Sequence, residues 1–167
     1  RVLAAHAKAK FRQDISLAME QTLLTLKTRK PTAKQIAYAK NVLAADDPKS
    51  LPSRAVPYAN RTLALANGPR EEEIVLQALR LGEVGITSIP CEVLCEIGLT
   101  LKAQSPLAQS TFTIELANGH YGYLPTPRQH ALGGYETWMG TCTLEILASE
   151  KIKKSLLNML ENVAKEN

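Results

Sequence analysis

The stretch EEIVLQALRLGEVGITSI, residues 72–89, decides the fold class of this chain. Residues 72–81 and 84–89 are two runs rich in aliphatic side chains, and only the pair Gly82-Glu83 separates them. A two-residue link that begins with glycine is typical of a tight β-hairpin, because glycine accepts the backbone angles that such turns need. The stretch therefore predicts two antiparallel strands.

Further strands and helices are predicted on both sides of this hairpin. Alternating polarity predicts a strand within residues 15–27 and another over residues 109–117. Helices are predicted over residues 1–10, after a capping box at Thr32–Gln35, over 54–66, after Pro90 and over 148–165. Strands and helices joined by short links indicate an α/β or α+β fold, with a mixed sheet and flanking helices.

The composition limits the classes of function. The 167 residues are 45% hydrophobic and 22% charged, which is ordinary for one globular domain. The net charge is +4 and no aromatic residues interleave with the basic groups, so we expect no nucleic-acid partner. No apolar run is long enough to predict a transmembrane segment. Three cysteines argue against a disulfide framework and favour small buried thiols.

The first candidate site is the sequence IPCE, residues 89–92. Here a strand is predicted to end and a helix to begin, with Glu92 at the junction. A carboxylate at a helix N-terminus is stabilised by the free backbone amides and the helix dipole. Glu92 is therefore either a first-turn acid with no further role or a site residue.

The second candidate is ANGHYGYLPTPRQHALGGYE, residues 117–136, which holds three of the five tyrosines of the chain. Glycine and proline on both sides of Tyr123 restrict the backbone around its ring. The pair Gly133-Gly134 before Tyr135 predicts a close approach of the backbone to a neighbouring group. The residues alone leave two interpretations open: the rings pack against the sheet, or their phenols act in a site.

Together, these motifs resemble the C-terminal part of the neutral/alkaline ceramidase catalytic domain, and more closely its bacterial ceramidase-like relatives. Those proteins carry an IPxE or VPGE turn. Further along they carry an Asn, a tyrosine in GYxPT or HYITT, and a YE pair twelve residues after that tyrosine. The corresponding positions are Glu92, Asn118, Tyr123, Thr126, Tyr135 and Glu136. The resemblance is clearest over residues 72–165.

The resemblance implies a zinc-dependent amidase that cleaves the N-acyl bond of a ceramide-like lipid. It implies that Glu92 and Tyr123 are zinc ligands and that Tyr135 is a catalytic residue near the scissile amide. Zinc accepts carboxylate oxygen, and a phenol beside a dication loses its proton far below its free pKa. A phenol at Tyr135 can donate a hydrogen bond to an oxygen that gains negative charge.

The chain departs from the family pattern in the ligands it lacks. The family uses two further histidines in upstream motifs, and none of His6, His120 and His130 lies in such a motif. No serine occupies the family's nucleophile context. We therefore expect that residues 1–167 are the C-terminal portion of a larger catalytic domain, inactive when isolated. The remainder, N-terminal to Arg1, is expected to supply the two histidines.

Two questions stay open at this point. The alternative function is a non-catalytic α/β binding or assembly module that keeps the fold but lacks the histidine ligands and the serine. For the compartment, only the resemblance suggests an answer, because family members are often secreted or membrane-associated. The residues themselves leave the compartment unknown, and the resemblance alone suggests a secreted, periplasmic or membrane-associated protein.

Overall fold

A computed structural model describes residues 1–107 and 110–165 of the chain. The helices are α1 (Val2–Lys8), α2 (Ala33–Leu43), α3 (Ala55–Asn67), α4 (Cys95–Gln104), α5 (Pro127–Leu132) and α6 (Ala148–Lys165). The strands are β1 (Leu17–Lys27), β2 (Glu71–Leu81), β3 (Val84–Ile89), β4 (Glu92–Val93), β5 (Phe112–Glu115) and β6 (Tyr123–Leu124). Short 3-10 turns cover Pro48–Ser50 and Tyr135–Thr137.

Four strands form a mixed sheet in the order β1-β2-β3-β5. The first three are antiparallel neighbours, and β5 pairs with β3 in parallel. The predicted hairpin is confirmed, with Gly82 in the link at φ 61°. The predicted strand over 109–117 is shorter, Phe112–Glu115, and residue 109 lies outside the described residues. The fold class, α/β with a mixed sheet and flanking helices, is confirmed.

The main core lies between one face of the sheet and α6. Leu26 of β1 and both Ile74 and Leu76 of β2 are fully buried there. The apolar stripe of α6 is buried against them: Ile152, Leu156, Met159, Leu160 and Val163. Burial of each such side chain stabilises the fold by roughly 1.5–3 kcal/mol relative to exposure.

Helices α2 and α3 pack on each other in a second, smaller core of Ala39, Val42 and Ala59. The predicted capping box opens α2: Thr32 accepts a hydrogen bond from the Gln35 amide, and the Gln35 side chain accepts one from the Thr32 amide. At the C-terminal end of α3, the Lys30 ammonium donates a hydrogen bond to the carbonyl of Leu65 at 2.7 Å and stabilises this helix end. Among the described residues, no helix is both long and apolar enough to cross a membrane.

The other face of the sheet carries apolar side chains that stay exposed. We call it the outer sheet face and define it by its exposed large side chains: Leu17, Met19, Leu23, Leu81, Phe112 and Ile114. The strand registers place these six on one side, opposite to α6. The sheet is therefore covered by α6 on one face, and on the other these six apolar side chains stay exposed, although Ile86 and Ser88 of β3 on that side are buried.

Candidate functional site

Glu92 and Tyr123 lie side by side in a two-strand ladder. Its strand β4 follows β3 in the chain, and its strand β6 follows β5. Strands β4 and β6 pair in parallel, and the register sets Glu92 directly against Tyr123. Paired residues of neighbouring parallel strands project to the same side of the ladder. The structure thus brings together the two residues that the sequence placed in separate motifs.

The expectation that a helix begins beside Glu92 is wrong. Helix α4 begins at Cys95, with Leu94 as its N-cap, and its first-turn acid is Glu96. Glu92 instead occupies a strand, where its amide donates to the Gly122 carbonyl at 3.0 Å. The interpretation of Glu92 as a helix-capping acid is excluded by this position.

Gly122 makes the close pairing possible. Its φ of 77° is in the region that glycine adopts readily, and a Cβ there would lie 2.2 Å from the Thr141 carbonyl oxygen. The next amide, that of Tyr123, donates to the same Thr141 carbonyl at 3.0 Å. A glycine therefore fixes the backbone immediately before the tyrosine ring, and any larger residue would push β6 away from residue 141.

The carboxylate of Glu92 has two polar neighbours. A hydrogen bond from the Tyr123 phenol to Glu92, with smaller effects of burial and nearby charge, raises the pKa of Tyr123 to about 12. On the other side, His120 Nε2 lies 3.4 Å from Glu92 Oε1. The His120 side chain is 66% exposed. Tyr123 and His120, both able to bind a metal, thus neighbour the Glu92 carboxylate.

Tyr135 reaches this group of side chains through ring contacts. Its ring packs edge-on against Tyr123, with centroids 5.5 Å apart, and against Trp138 at 5.8 Å. The Trp138 ring in turn contacts Tyr58 of α3, and the Arg61 guanidinium lies 5.2 Å from the Tyr58 ring centroid. These rings form a wall that leads from the Glu92 carboxylate to α3. We call it the aromatic wall and define it by Tyr123, Tyr135, Trp138 and Tyr58.

The expectation of a close backbone approach at Gly133-Gly134 is wrong. A Cβ at Gly133 would meet nothing within 4 Å, and one at Gly134 would meet only the Glu136 side chain at 3.1 Å. These two glycines are instead required by their φ angles of 82° and 107°. The pair turns the chain after α5 so that Tyr135 faces Tyr123.

A cavity of about 540 Å³ opens over these side chains. Glu92, His120, Tyr123 and Tyr135 line this cavity together with Arg61 of α3. Tyr121 also borders it, but that ring packs against the main core and its hydroxyl reaches the Glu73 carbonyl at 3.4 Å. Of the three tyrosines in residues 117–136, Tyr121 is a packing residue, and the other two meet in the cavity.

Sequence reasoning missed His120 and Arg61 as site residues. His120 stands three residues before Tyr123, so the motif itself carried a signal for it. Arg61 carried none, because it comes from a helix about sixty residues away whose contact with the loop depends on tertiary packing. A Cβ at Gly140 would lie 2.5 Å from the Arg61 Cβ, and so the missing side chain at residue 140 makes room for this arginine.

The donor set fits zinc in kind. Carboxylate oxygen, phenolate oxygen and imidazole nitrogen are all ligands that zinc accepts. Within residues 1–107 and 110–165, no group of three or more His, Cys, Asp or Glu side chains is placed to hold a metal ion. The site therefore offers Glu92, Tyr123 and the neighbouring His120, and zinc ligation by Glu92 and Tyr123 stays a prediction.

Two solved structures share this fold. The neutral ceramidase from Pseudomonas aeruginosa superposes with a TM-score of 0.56 at 13% identity, over 94% of this chain and 29% of that one. A structure described as ceramidase complexed with C2 gives a TM-score of 0.56 at 12% identity, over 97% of this chain and 32% of the other. The chain thus has a ceramidase-like fold and spans about 30% of the length of these structures. Neither a protein-family model nor a curated protein sequence matches it.

Proposed function

We propose that this chain is part of a zinc-dependent amidohydrolase that resembles neutral ceramidase and hydrolyses the N-acyl amide bond of a ceramide-like lipid. The observation that carries the proposal is the paired register of Glu92 and Tyr123 at a cavity that Tyr135 also lines. The ceramidase-like fold supports it independently, because backbone superposition does not use the side chains of these motifs.

Glu92 and Tyr123 are the residues that would hold the zinc ion. When bound, zinc supplies a Lewis acid that polarises the amide carbonyl and lowers the pKa of a coordinated water. In the metal-free chain the Tyr123 phenol keeps its proton on a hydrogen bond to Glu92. Because ligation by tyrosine needs the phenolate, zinc held by Tyr123 would require the loss of this proton and of its bond to Glu92.

Tyr135 has the position of a hydrogen-bond donor to substrate. Its ring is held between Tyr123 and Trp138, and 39% of the residue is exposed toward the open cavity. From there its hydroxyl can donate to the amide carbonyl oxygen as that oxygen gains negative charge. The aromatic wall beside it offers an apolar surface for the hydrocarbon part of a lipid amide.

The test compares Glu92→Gln with Glu161→Gln, an exposed acid on α6, in the polypeptide as its gene encodes it. Zinc content and release of fatty acid from an N-acylsphingosine are measured for each. Glu92→Gln is expected to lower both at least about tenfold, because a ligand is lost. Glu161→Gln is expected to retain both.

Two outcomes would contradict the proposal. Stoichiometric zinc in Glu92→Gln would remove Glu92 from the ligand set. Zinc-loaded wild-type protein without amidase activity would favour the alternative function, a binding or assembly module that keeps the fold and lacks the reaction.

A further inference from the structure

Apolar side chains adjoin one another across the four strands of the outer sheet face. Leu17 of β1 stands directly against Leu81 of β2, and Leu79 against Ile86 of β3. Ile86 in turn stands against Phe112 of β5. The apolar side chains therefore adjoin one another across all four strands, which is the arrangement of a packing surface and not of scattered single residues.

The apolar side chains of this surface are more exposed than is usual on a monomeric globular protein. The six side chains that define it are between 41% and 72% exposed. On the opposite face of the same strands, Leu26, Ile74 and Leu76 have no exposure. Contiguous exposed apolar patches of this kind mark interaction sites, because leaving them in water costs hydrophobic free energy.

A polar row crosses the outer sheet face, and its side chains are hydrogen-bonded to one another. The Gln77 amide nitrogen donates to the Gln21 side-chain oxygen at 2.7 Å, and the Asn118 amide nitrogen donates to the Gln77 oxygen at 2.9 Å. Ser88 also reaches the Gln77 oxygen, at 3.4 Å. Buried polar groups need partners, and these bonds already supply partners to Gln77 and Ser88 before any layer covers the row.

The same row connects the outer sheet face to the candidate site. Asn118 has a φ of 66°, in the region that non-glycine residues rarely adopt, and its side chain bonds hold that conformation. Two residues later the chain reaches His120, and five residues later Tyr123. Whatever covers the polar row therefore lies next to the loop that carries the donor set.

We propose that the outer sheet face is the docking surface for the remaining part of the same catalytic domain, an apolar layer outside this sequence. The proposal rests on the proposed function. About 70% of each matched ceramidase structure lies outside the part that this chain covers. The site also needs ligands beyond Glu92 and Tyr123, and a layer seated on the polar row can reach the cavity at the end of the sheet.

The native methionines provide a test that needs no substitution. Met19 belongs to the outer sheet face and is 56% exposed, whereas Met159 of α6 is 2% exposed. The polypeptide as its gene encodes it is treated with hydrogen peroxide, and sulfoxide at each methionine is followed by mass spectrometry. If the face is docked, Met19 is oxidised as slowly as Met159, at least about tenfold slower than in urea-unfolded protein.

A second measurement uses thiol labelling in a Cys95→Ser background, because Cys95 is an exposed native thiol. Leu23→Cys reports the outer sheet face, and Asn158→Cys, exposed on α6, is the control on the opposite layer. We expect a maleimide to label residue 158 and to leave residue 23 unlabelled. Equal labelling of both, or Met19 oxidised at the unfolded rate, would overturn the proposal.

Protein concentration distinguishes the occupant. Protection of Met19 that persists in a monomer, verified by light scattering, supports docking within one polypeptide. Protection lost on dilution to monomer identifies a second copy as the occupant and overturns the proposal. Neither readout uses activity, so the two proposals can fail separately. If Met19 is protected in a protein without amidase activity, docking stands and the proposed function is refuted. If a monomer has amidase activity and its Met19 is oxidised at the unfolded rate, the proposed function stands and docking is refuted.

Discussion

The scaffold, which we define as β1–β3 with α6, and the site loops, residues 117–143, are held by different forces. The scaffold encloses aliphatic side chains with no exposure, such as Leu76 and Leu156. In the site loops, the described glycines at positive φ are concentrated: Gly119, Gly122, Gly133, Gly134 and Gly140. Stability therefore resides mainly in apolar burial under α6, and site geometry resides in backbone conformation and hydrogen bonds.

This contrast predicts that substitutions separate into two classes. A change in the scaffold should lower the free energy of unfolding and leave the site intact wherever the protein stays folded. A change in the site loops should alter metal binding or turnover at little cost to global stability, because a loop can rearrange without opening the core.

The largest effect is expected from Leu156→Ala in the scaffold. Leu156 has no exposure and packs within the main core, so truncation loses transfer free energy and leaves a cavity. The free energy of unfolding should fall by about 2–5 kcal/mol. Urea denaturation measures this, with exposed Asn158→Ala as the control on the same helix. A loss below about 1 kcal/mol, the size of an ordinary substitution, would contradict the assignment of stability to this layer.

In the site loops, Tyr135→Phe should give the largest effect on rate. Loss of a hydrogen-bond donor to a developing oxyanion lowers turnover about a hundredfold, or roughly 3 kcal/mol. Zinc content should stay at the wild-type value, because Tyr135 is assigned to substrate and not to metal. Tyr38→Phe, an exposed tyrosine on α2, is the control. Full turnover in Tyr135→Phe would mean that this tyrosine is a packing residue. Loss of zinc in the same variant would mean that its assignment to substrate instead of metal is wrong.

A smaller effect concerns the phenol of Tyr123 in metal-free protein. Its pKa is raised to about 12, with the hydrogen bond to Glu92 as the main cause. A raised pKa means that this stabilisation is complete below the unfolded pKa near 10 and is lost as pH rises through 12. Glu92→Gln should lower the phenol pKa toward 10, followed by NMR of tyrosine ring carbons. An unchanged pKa in that variant would remove Glu92 as the acceptor.

The same contrast explains what the sequence could predict. The hairpin and the stripe of α6 depend on local periodicity and turn chemistry, which the residues show directly. The β4–β6 ladder has two residues per strand and pairs residue 92 with residue 123. Strands this short have no periodic pattern that could predict them. The start of α4 at Cys95 was missed because Leu94 is an N-cap without a capping side chain. The contact of Arg61 with residue 140 depends wholly on tertiary packing.

Two capping boxes of equal geometry provide the finest comparison between the regions. Thr32 opens α2 in the α2–α3 pair, and Thr126 opens α5 in the site loops. In each, the threonine hydroxyl accepts from the N3 amide at 3.3 Å, and the glutamine side chain accepts from the threonine amide at 2.8 Å. Thr32→Ala and Thr126→Ala both remove the bond to the N3 amide, and Thr32→Ala also removes a bond from the hydroxyl to the Gln35 side-chain oxygen at 3.1 Å.

The expected consequences differ because the two helices are buried differently. Helix α2 buries Ala39 and Val42, so fraying is coupled to global unfolding, and Thr32→Ala should cost about 1 kcal/mol in urea denaturation with turnover unchanged. Helix α5 has no buried residues, so Thr126→Ala should open it locally, with a smaller loss of global stability. Because α5 leads through Gly133-Gly134 to Tyr135, turnover should fall several-fold, by about 1 kcal/mol of barrier. Equal losses of stability in the two variants, with turnover unchanged in both, would mean that α5 is fixed by packing as firmly as α2.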